Sequence, residues 1–408
     1  MRTLTTTCCI AGGGPAGIML GFLLARSGVE VTVLEKWPDF FRDFRGDTIH
    51  PSTMQLLKEL GLLEKFLALP HDKTRRIGLH IGGEEIQLAD FTHLKTGMPF
   101  IAFIPQWDFL NFLSKEAKQY PNFTLLMETE VTDVLTEEGR VAGVMAKDAE
   151  GTFEIRADLT VGADGRHSTV REKANLRVLD SGAPIDVLWF KLPRKEDGTS
   201  ISLGYVDGGE MMVLLNRTTY WQCAFLIQKG TFEALKAGGL EAFRKRIANH
   251  VPQLAESVEE IAEWDQVKML SVAVDHLRTW YKPGLVCIGD AAHAMSPIGG
   301  VGINLAIQDA VGAANILAPA FASPEGVGMS DLARIQSRRE WPARVVQKMQ
   351  VYIHTHIMKP ILATKGHIRA PWQLRLFDRF SILRRLPAYV IGVGVRPEHI
   401  STFIKDKK

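Results

Sequence analysis

Residues 5–35 read TTTCCIAGGGPAGIMLGFLLARSGVEVTVLE. Thr5 to Ala11 is a short apolar run that predicts a buried strand, and it opens directly into Gly12-Gly13-Gly14-Pro15-Ala16-Gly17. Ile18 to Ser27 carries small and apolar residues throughout and predicts a helix, which Gly28 ends. Val29 to Leu34 predicts a second buried strand, with Glu35 at its end. Strand, glycine turn, helix and strand make a βαβ unit with Gly12, Gly14 and Gly17 at GxGxxG spacing. An acid follows about 20 residues later, as dinucleotide binding requires. The first glycine makes the tight turn, the second admits a pyrophosphate, and the third lets the helix pack on the sheet. Glu35 is placed to hold a ribose hydroxyl pair.

A second stretch, Gly289 to Asn304, reads GDAAHAMSPIGGVGIN. It follows the apolar run Leu285 to Ile288 and precedes Leu305 to Leu317, which has helical periodicity. Strand, glycine-bearing loop and helix N-terminus again favour a ligand with negative charge. Asp290, just past the strand, is suited to accept hydrogen bonds from a hydroxylated chain. Between these stretches, Leu159 to Val161 predicts a short strand that runs into GADGRHSTVR, Gly162 to Arg171, an Asp-Gly turn.

The remaining chain alternates less with helices. Arg75 to Gln87 and Phe100 to Ile104 predict strands, and Gln106 to Ala117 a helix. Ser52 is a candidate cap for a helix ending near Gly61. Asp186 to Lys191, Ser200 to Val206, Glu210 to Asn216 and Tyr220 to Ile227 predict a separate antiparallel sheet. Thr231 to His250 predicts one helix and Leu270 to His276 one returning strand. Ser337 to Lys359 and Pro371 to Arg385 predict basic helices.

At 408 residues the chain is long enough for two domains, and 46% hydrophobic with 23% charged residues is ordinary for a soluble enzyme. No uninterrupted apolar run approaches the ~20 residues of a bilayer span. The N-terminus lacks a secretory signal pattern, so an unprocessed cytoplasmic chain is expected. Four cysteines, at positions 8, 9, 223 and 287, show no CxxC and no metal-ligand spacing, and no metal site is expected. From Arg338 to Lys408 there are 15 Lys or Arg against 4 Asp or Glu, so this basic end is a candidate for solvated surface, a partner site or a contact for anionic lipid. Its Trp372–Arg385 stretch either packs across the substrate domain with a basic outer face or lies on a membrane surface. No nucleic-acid partner is expected, and the chain is expected as monomer or homodimer.

GGGPAG with Glu35, GADGRHSTVR, and GDAAHAMSPIGGVGIN, in this order, resemble the flavin-dependent aromatic hydroxylases of the para-hydroxybenzoate hydroxylase type. The resemblance covers about residues 5–320. It implies an α/β Rossmann-like FAD-binding domain at 1–75, 100–180 and 270–330. A smaller α+β substrate domain with an antiparallel sheet would occupy 76–99 and 181–269, and a helical segment 331–408. By resemblance the FAD contacts are Gly12, Gly14, Pro15, Ala16, Gly17, Glu35, Lys36, Arg45, Gln106, Val131, Asp164, Gly165, Gly289, Asp290, Pro297, Gly300, Gly302, Ile303 and Asn304. Asp290 would hold the ribityl hydroxyls, Pro297 would lie beside the reactive face of the ring, and the amides of Gly300 to Asn304 would meet its pyrimidine edge. Pro297 and His293 are the catalytic candidates, with His293 better suited to shaping its loop. His50, His80 and Tyr205 are candidate bases by residue type alone.

The implied reaction is reduction by NADH or NADPH, a transient co-substrate, followed by O2. A flavin C4a-hydroperoxide then hydroxylates an aromatic, phenolic, polyketide or quinone-like substrate. Two alternatives stay open: a flavin reductase of isoprenoid double bonds, and a non-catalytic FAD-binding protein. A reductase is expected to carry Gly where this chain has His293. A halogenase is expected to carry Trp-x-Trp, which does not occur.

Overall fold

The computed structural model describes residues 2–41, 47–194, 203–217, 219–364 and 366–405. The first unit is built from β1 (Thr3–Ala11), α1 (Pro15–Arg26) and β2 (Val31–Leu34), as the glycine spacing predicts. β3 (Phe123–Leu126), β4 (Gly151–Gly162) and β5 (Leu285–Cys287) complete a parallel core in the order β5-β4-β1-β2-β3. Parallel strands covered on both faces are apolar almost continuously, and Cys8, Cys9, Ile10, Val31, Val33, Val161 and Val286 are all buried. The pairing aligns the strand ends: Ala11 lies opposite both Leu34 and Gly162, and Gly162 opposite Cys287. Four loops therefore leave the sheet along one line.

α1 lies against this sheet. A Cβ on Gly21 would come within 2.8 Å of Val33 and 2.9 Å of Phe123, so the helix sits as close as a glycine permits. α2 (Gly302–Phe321) packs beside α1. The Ile298–Phe321 stretch is long and apolar enough to cross a membrane by length and composition, but 78% of its apolar window is buried inside the protein. It is a core helix.

A second, seven-stranded sheet has the order 268–271, 185–193, 220–228, 210–217, 203–207, 76–81, 84–90. Its side chains alternate between two cores. Leu188, Phe190, Cys223, Phe225 and Ile227 point to one face, beneath the helices Phe232–Ala237 and Leu240–His250. There Phe243 meets Phe190 and Phe225 edge-on at 5.8 and 5.6 Å, and burying each such ring contributes about 1.5–3 kcal/mol. Ile185, Val187, Trp189, Ala224 and Leu226 point to the other face, where Ile298 and Met358 pack on them.

Several local expectations change. The Thr231–His250 helix is two helices, broken at Gly238-Gly239, where Gly239 has φ +87°. The Leu270–His276 strand is two: Lys268–Ser271 joins the second sheet, and Asp275–Leu277 pairs with Val178–Asp180. Ser52 does not cap its helix. Pro51–Glu59 starts from His50 in extended conformation, and Pro51 replaces the first orphan N–H. Leu159 to Val161 is the end of a 12-residue strand.

Candidate functional site

The first loop leaves β1 at Gly12, whose φ of +106° favours glycine. A Cβ there would lie 2.4 Å from the Ala163 carbonyl oxygen, so this turn touches the Asp-Gly loop. A Cβ on Gly17 would lie 1.9 Å from the Gly12 carbonyl, which is how closely α1 approaches the turn. Gly14 differs, because nothing lies within 4 Å of a Cβ placed on it. It precedes Pro15 at the start of α1, which has no side-chain cap. That open cradle faces uncapped helix amides. At the end of β2, buried Glu35 accepts from the N–H groups of Gly13 and Trp37, both at 3.1 Å. Lys36 reaches over the Trp37 ring. Val131 packs with Leu34 in the adjoining core.

The second loop leaves β4. Asp164 accepts the Val170 N–H on Oδ2 at 3.1 Å, while its Oδ1 is buried without a protein partner. Burial pushes this carboxyl above its ordinary value, against hydrogen bonds from Ser168 and Val170 that pull it down. Gly165 turns at φ +86°. Arg171 then reaches Asp275 at 3.3 Å and the Ala291 carbonyl at 3.4 Å, which joins this loop to the third.

The third loop leaves β5. Gly289, at φ +60°, would place a Cβ 3.1 Å from that of Ala16, so the first and third loops abut. Asp290 keeps a third of its side chain exposed, with Arg166 3.6 Å away. Pro297 is half-buried beside Ile298, and Gly299 and Gly300 both take positive φ. α2 then starts with no side-chain cap; Gly302, Ile303 and Asn304 form its first turn, and the first intrahelical bond runs from Leu305 N to Val301 O.

A polar frame that sequence reading missed holds this loop. Asp309 of α2 is fully buried. It accepts Gly289 N–H at 3.1 Å and Arg339 Nε at 2.9 Å, and its Oδ2 lies 2.5 Å from His293 Nε2. Arg339 continues to Glu398 at 3.1 Å, and Glu398 also takes Arg338 at 2.7 Å. Burial raises the Asp309 carboxyl, but His293 and Arg339 outweigh it and hold the group below its ordinary value. Burial likewise lowers His293, and Asp309 reverses this, leaving the imidazole above its ordinary value. His293 is thus placed in the frame of the loop, 2% exposed.

α3 (Met329–Ile353) supplies the rest of the frame. Gln347 Nε2 donates to the carbonyls of Asp275 (2.7 Å) and Ala294 (2.9 Å). Gln350 takes the Ser296 N–H and donates to the Ser296 and Ile298 carbonyls. One turn on, His354 Nε2 lies 2.9 Å from Ser296 Oγ. Asn304 locks the other side: its Oδ1 accepts His50 N and Thr53 Oγ1, and its Nδ2 donates to the Thr48 carbonyl at 3.0 Å. The signals were present as polar residues inside apolar helical runs, Asp309 above all, but nothing in their spacing named their partners.

Of the other candidates, Gln106 begins the helix Gln106–Ala117, and its backbone N–H reaches Asp47. Asp47 pairs with Arg217 of the second sheet, both buried. Arg45 lies outside the described residues. His50 is fully buried, with Nδ1 2.6 Å from the Ile391 carbonyl, and burial drives its pKa down to about 4. Tyr205 bonds to Gln253 and packs toward the helix-covered face, with His80 beside it at 5.5 Å. That face is the one turned away from the third loop.

FAD fits these residues. The pyrophosphate needs the Gly14 cradle and uncapped α1, the ribityl chain an accessible carboxylate such as Asp290, and a flavin donor would satisfy the orphan Asp164 Oδ1. Among the described residues no group of three or more His, Cys, Asp or Glu side chains could hold a metal ion.

Comparison with known proteins agrees with this geometry. The sequence profile of the family described as "FAD binding domain" matches residues 5–339. The chain is 34% identical over 398 residues to the 6-methylpretetramide 4-monooxygenase of Streptomyces rimosus, covering 94% of this chain and 90% of that protein. It is 27% identical over 327 residues to the para-nitrophenol 4-monooxygenase of Pseudomonas sp. (strain WBC-3), covering 74% and 75%. The crystal structure of p-nitrophenol 4-monooxygenase PnpA from Pseudomonas putida DLL-E4 superposes with a TM-score of 0.77 at 21% identity, covering 97% of this chain and all of that one. With the three loops aligned on neighbouring parallel strands and the profile spanning most of the sequence, the chain belongs to the FAD-binding-domain family and is an FAD-dependent monooxygenase.

Proposed function

We propose that this protein hydroxylates an aromatic carbon of a phenolic or fused-ring polyketide substrate. The overall change is NAD(P)H, a proton, O2 and the arene giving NAD(P)+, the hydroxyarene and water. The observation that carries the reading is the alignment of four strand ends, which puts Gly14, Glu35, Asp164 and Asp290 along one line. The similarity to a 6-methylpretetramide 4-monooxygenase favours the fused-ring class.

Bound FAD supplies the electron transfer and oxygen chemistry; the protein binds, orients and excludes water. Gly14 and the first amides of α1 would take the pyrophosphate, Glu35 the adenosine ribose, and Asp290 the ribityl hydroxyls. The first amides of α2, at Gly302 to Asn304, would stabilise negative charge on the near edge of the ring system. Pro297 would stand between the ring and the second sheet. Ile298 packs there against a wall of Trp189, Met211, Val213, Ala224 and Leu226. Trp189 Nε1 at this wall is buried with no hydrogen-bond partner, which suits it to donate to an oxygen of the substrate.

The test is a panel of phenols and polycyclic aromatic polyketides, scored for substrate-dependent NAD(P)H and O2 consumption and for a product heavier by one oxygen. Turnover without O2 would favour the reductase alternative. Flavin-loaded protein that no member stimulates would remove the aromatic assignment.

A further inference from the structure

The chain between Ala370 and Val393 forms α4 (Trp372–Arg379), a 3-10 turn at Ser381–Arg384 and α5 (Arg385–Gly392). Its inner side is anchored along the edge strand Glu84–Asp90. Leu374 packs with Ile81 and Ile86, Ala388 with Phe91, and Arg375 and Arg384 bond to Glu84 (2.8 Å) and Gln87 (2.6 Å). The outer side is apolar and bare: Trp372, Phe380, Ile382, Leu383, Leu386 and Tyr389 are all exposed, Trp372 and Leu386 by more than two thirds. Ile382, Leu386 and Tyr389 recur at intervals of four and three, which places them on one side of the helical path.

From His367 to Arg396 the chain carries six arginines and one carboxylate, Asp378. Asp378 is already next to Arg384, and Arg369, Arg379 and Arg385 are exposed. Two copies meeting through this face would bring arginines against arginines with no free carboxylate between them. A surface that supplies negative charge together with an apolar layer satisfies both halves of the face at once. We propose that α4, the 3-10 turn and α5 dock this protein on an anionic lipid surface, with the six apolar side chains entering the headgroup boundary.

Ile391, in the last turn of α5, and Val393 to Pro397 beyond it border the same small cavity as Val301, Asn304 and Leu305 of the third loop. The proposal stands apart from the substrate assignment, since vesicle binding is measured without turnover.

The experiment is co-sedimentation of FAD-loaded full chain with phosphatidylcholine vesicles, with and without phosphatidylglycerol. Partition should rise about tenfold with the anionic lipid and fall again in high salt. Arg379→Glu/Arg385→Glu and Ile382→Ser/Leu386→Ser should each lower it about tenfold while flavin absorbance and melting temperature stay at the parent values. Equal partition of parent and both folded variants would overturn the proposal. So would a parent dimer, seen by sedimentation without vesicles, that Ile382→Ser/Leu386→Ser converts to monomer, because the face would then belong to a second copy.

Discussion

Replacing Asp309 with asparagine tests whether the buried ionic frame holds the third loop. The change keeps size and shape but removes a charge whose partners are Arg339 at 2.9 Å and His293 at 2.5 Å, all within a few per cent of full burial. Deleting one member of a buried ionic group typically costs about 3–5 kcal/mol, because the remaining charges stay desolvated. With an unfolding entropy of about 2.1 cal/mol/K per residue, a chain of 408 residues would melt roughly 4–6 °C lower. The pH dependence distinguishes ion pairing from packing. His293 sits above its ordinary value of 6.5, so its contribution is complete below 6.5 and is lost as pH rises through the folded-state value. Asp309 sits below its ordinary 3.8, so its contribution is complete above 3.8 and is lost as pH falls through the folded-state value. The stability gap between parent and Asp309→Asn should therefore be widest between pH 3.8 and 6.5 and narrow at higher pH. Scanning calorimetry of both proteins across this range checks it. A melting difference under 1 °C, or one that does not change with pH, would refute the reasoning.

Gly14→Val should leave the apoprotein's melting temperature close to the parent's, since a Cβ there meets nothing, yet abolish FAD uptake measured by flavin absorbance. Gly17→Ala should do the reverse in order of cause, lowering apoprotein stability first, because its Cβ would fall 1.9 Å from the Gly12 carbonyl. Asp290→Ala should weaken FAD by roughly 1–3 kcal/mol, the range for hydrogen bonds to a charged group, and titration calorimetry of apoprotein reads it directly. His50, held neutral at about 4 by burial, contributes stability above pH 6.5 that is lost as pH falls toward 4. The loss is roughly 3 kcal/mol, so denaturant unfolding of His50→Phe should show a shallower acid slope than the parent.

How much of this was legible depended on whether the cause was local. The βαβ opening was readable because each glycine answers to its immediate surroundings: Gly12 to a positive φ, Gly17 to the helix against its own turn. Strand β3 was not singled out, although it is apolar. Its place at the sheet edge depends on pairing with β2 across nearly ninety residues. The Thr231–His250 run kept helical composition on both sides of Gly238-Gly239, and the break falls at that pair, where Gly239 takes a positive φ. Ser52 looked like a cap by type, yet the extended His50 takes the cap position two residues earlier and Pro51 opens the helix.

The same distinction separates the loops of the site from what holds them. Asp164 and Asp290 announce themselves by following strands and preceding helices, a pattern contained in about fifteen residues. Asp309, Arg339, Gln347, Gln350, His354 and Glu398 have no such pattern, because each answers to a backbone group or charge tens of residues away. Residues 338–408 read as a basic end on composition, and their exposed arginines match that reading. Their inner side is different: α3 and the residue after it lay Gln347, Gln350 and His354 along Ala294–Ile298, where the two glutamines pair with the Ser296 amide and with the Ala294, Ser296 and Ile298 carbonyls and His354 meets the Ser296 hydroxyl. A glycine-rich loop that must keep amides free for a ligand cannot satisfy its own backbone by helix or sheet. Another element must do so, and in this chain the C-terminal helices take that part.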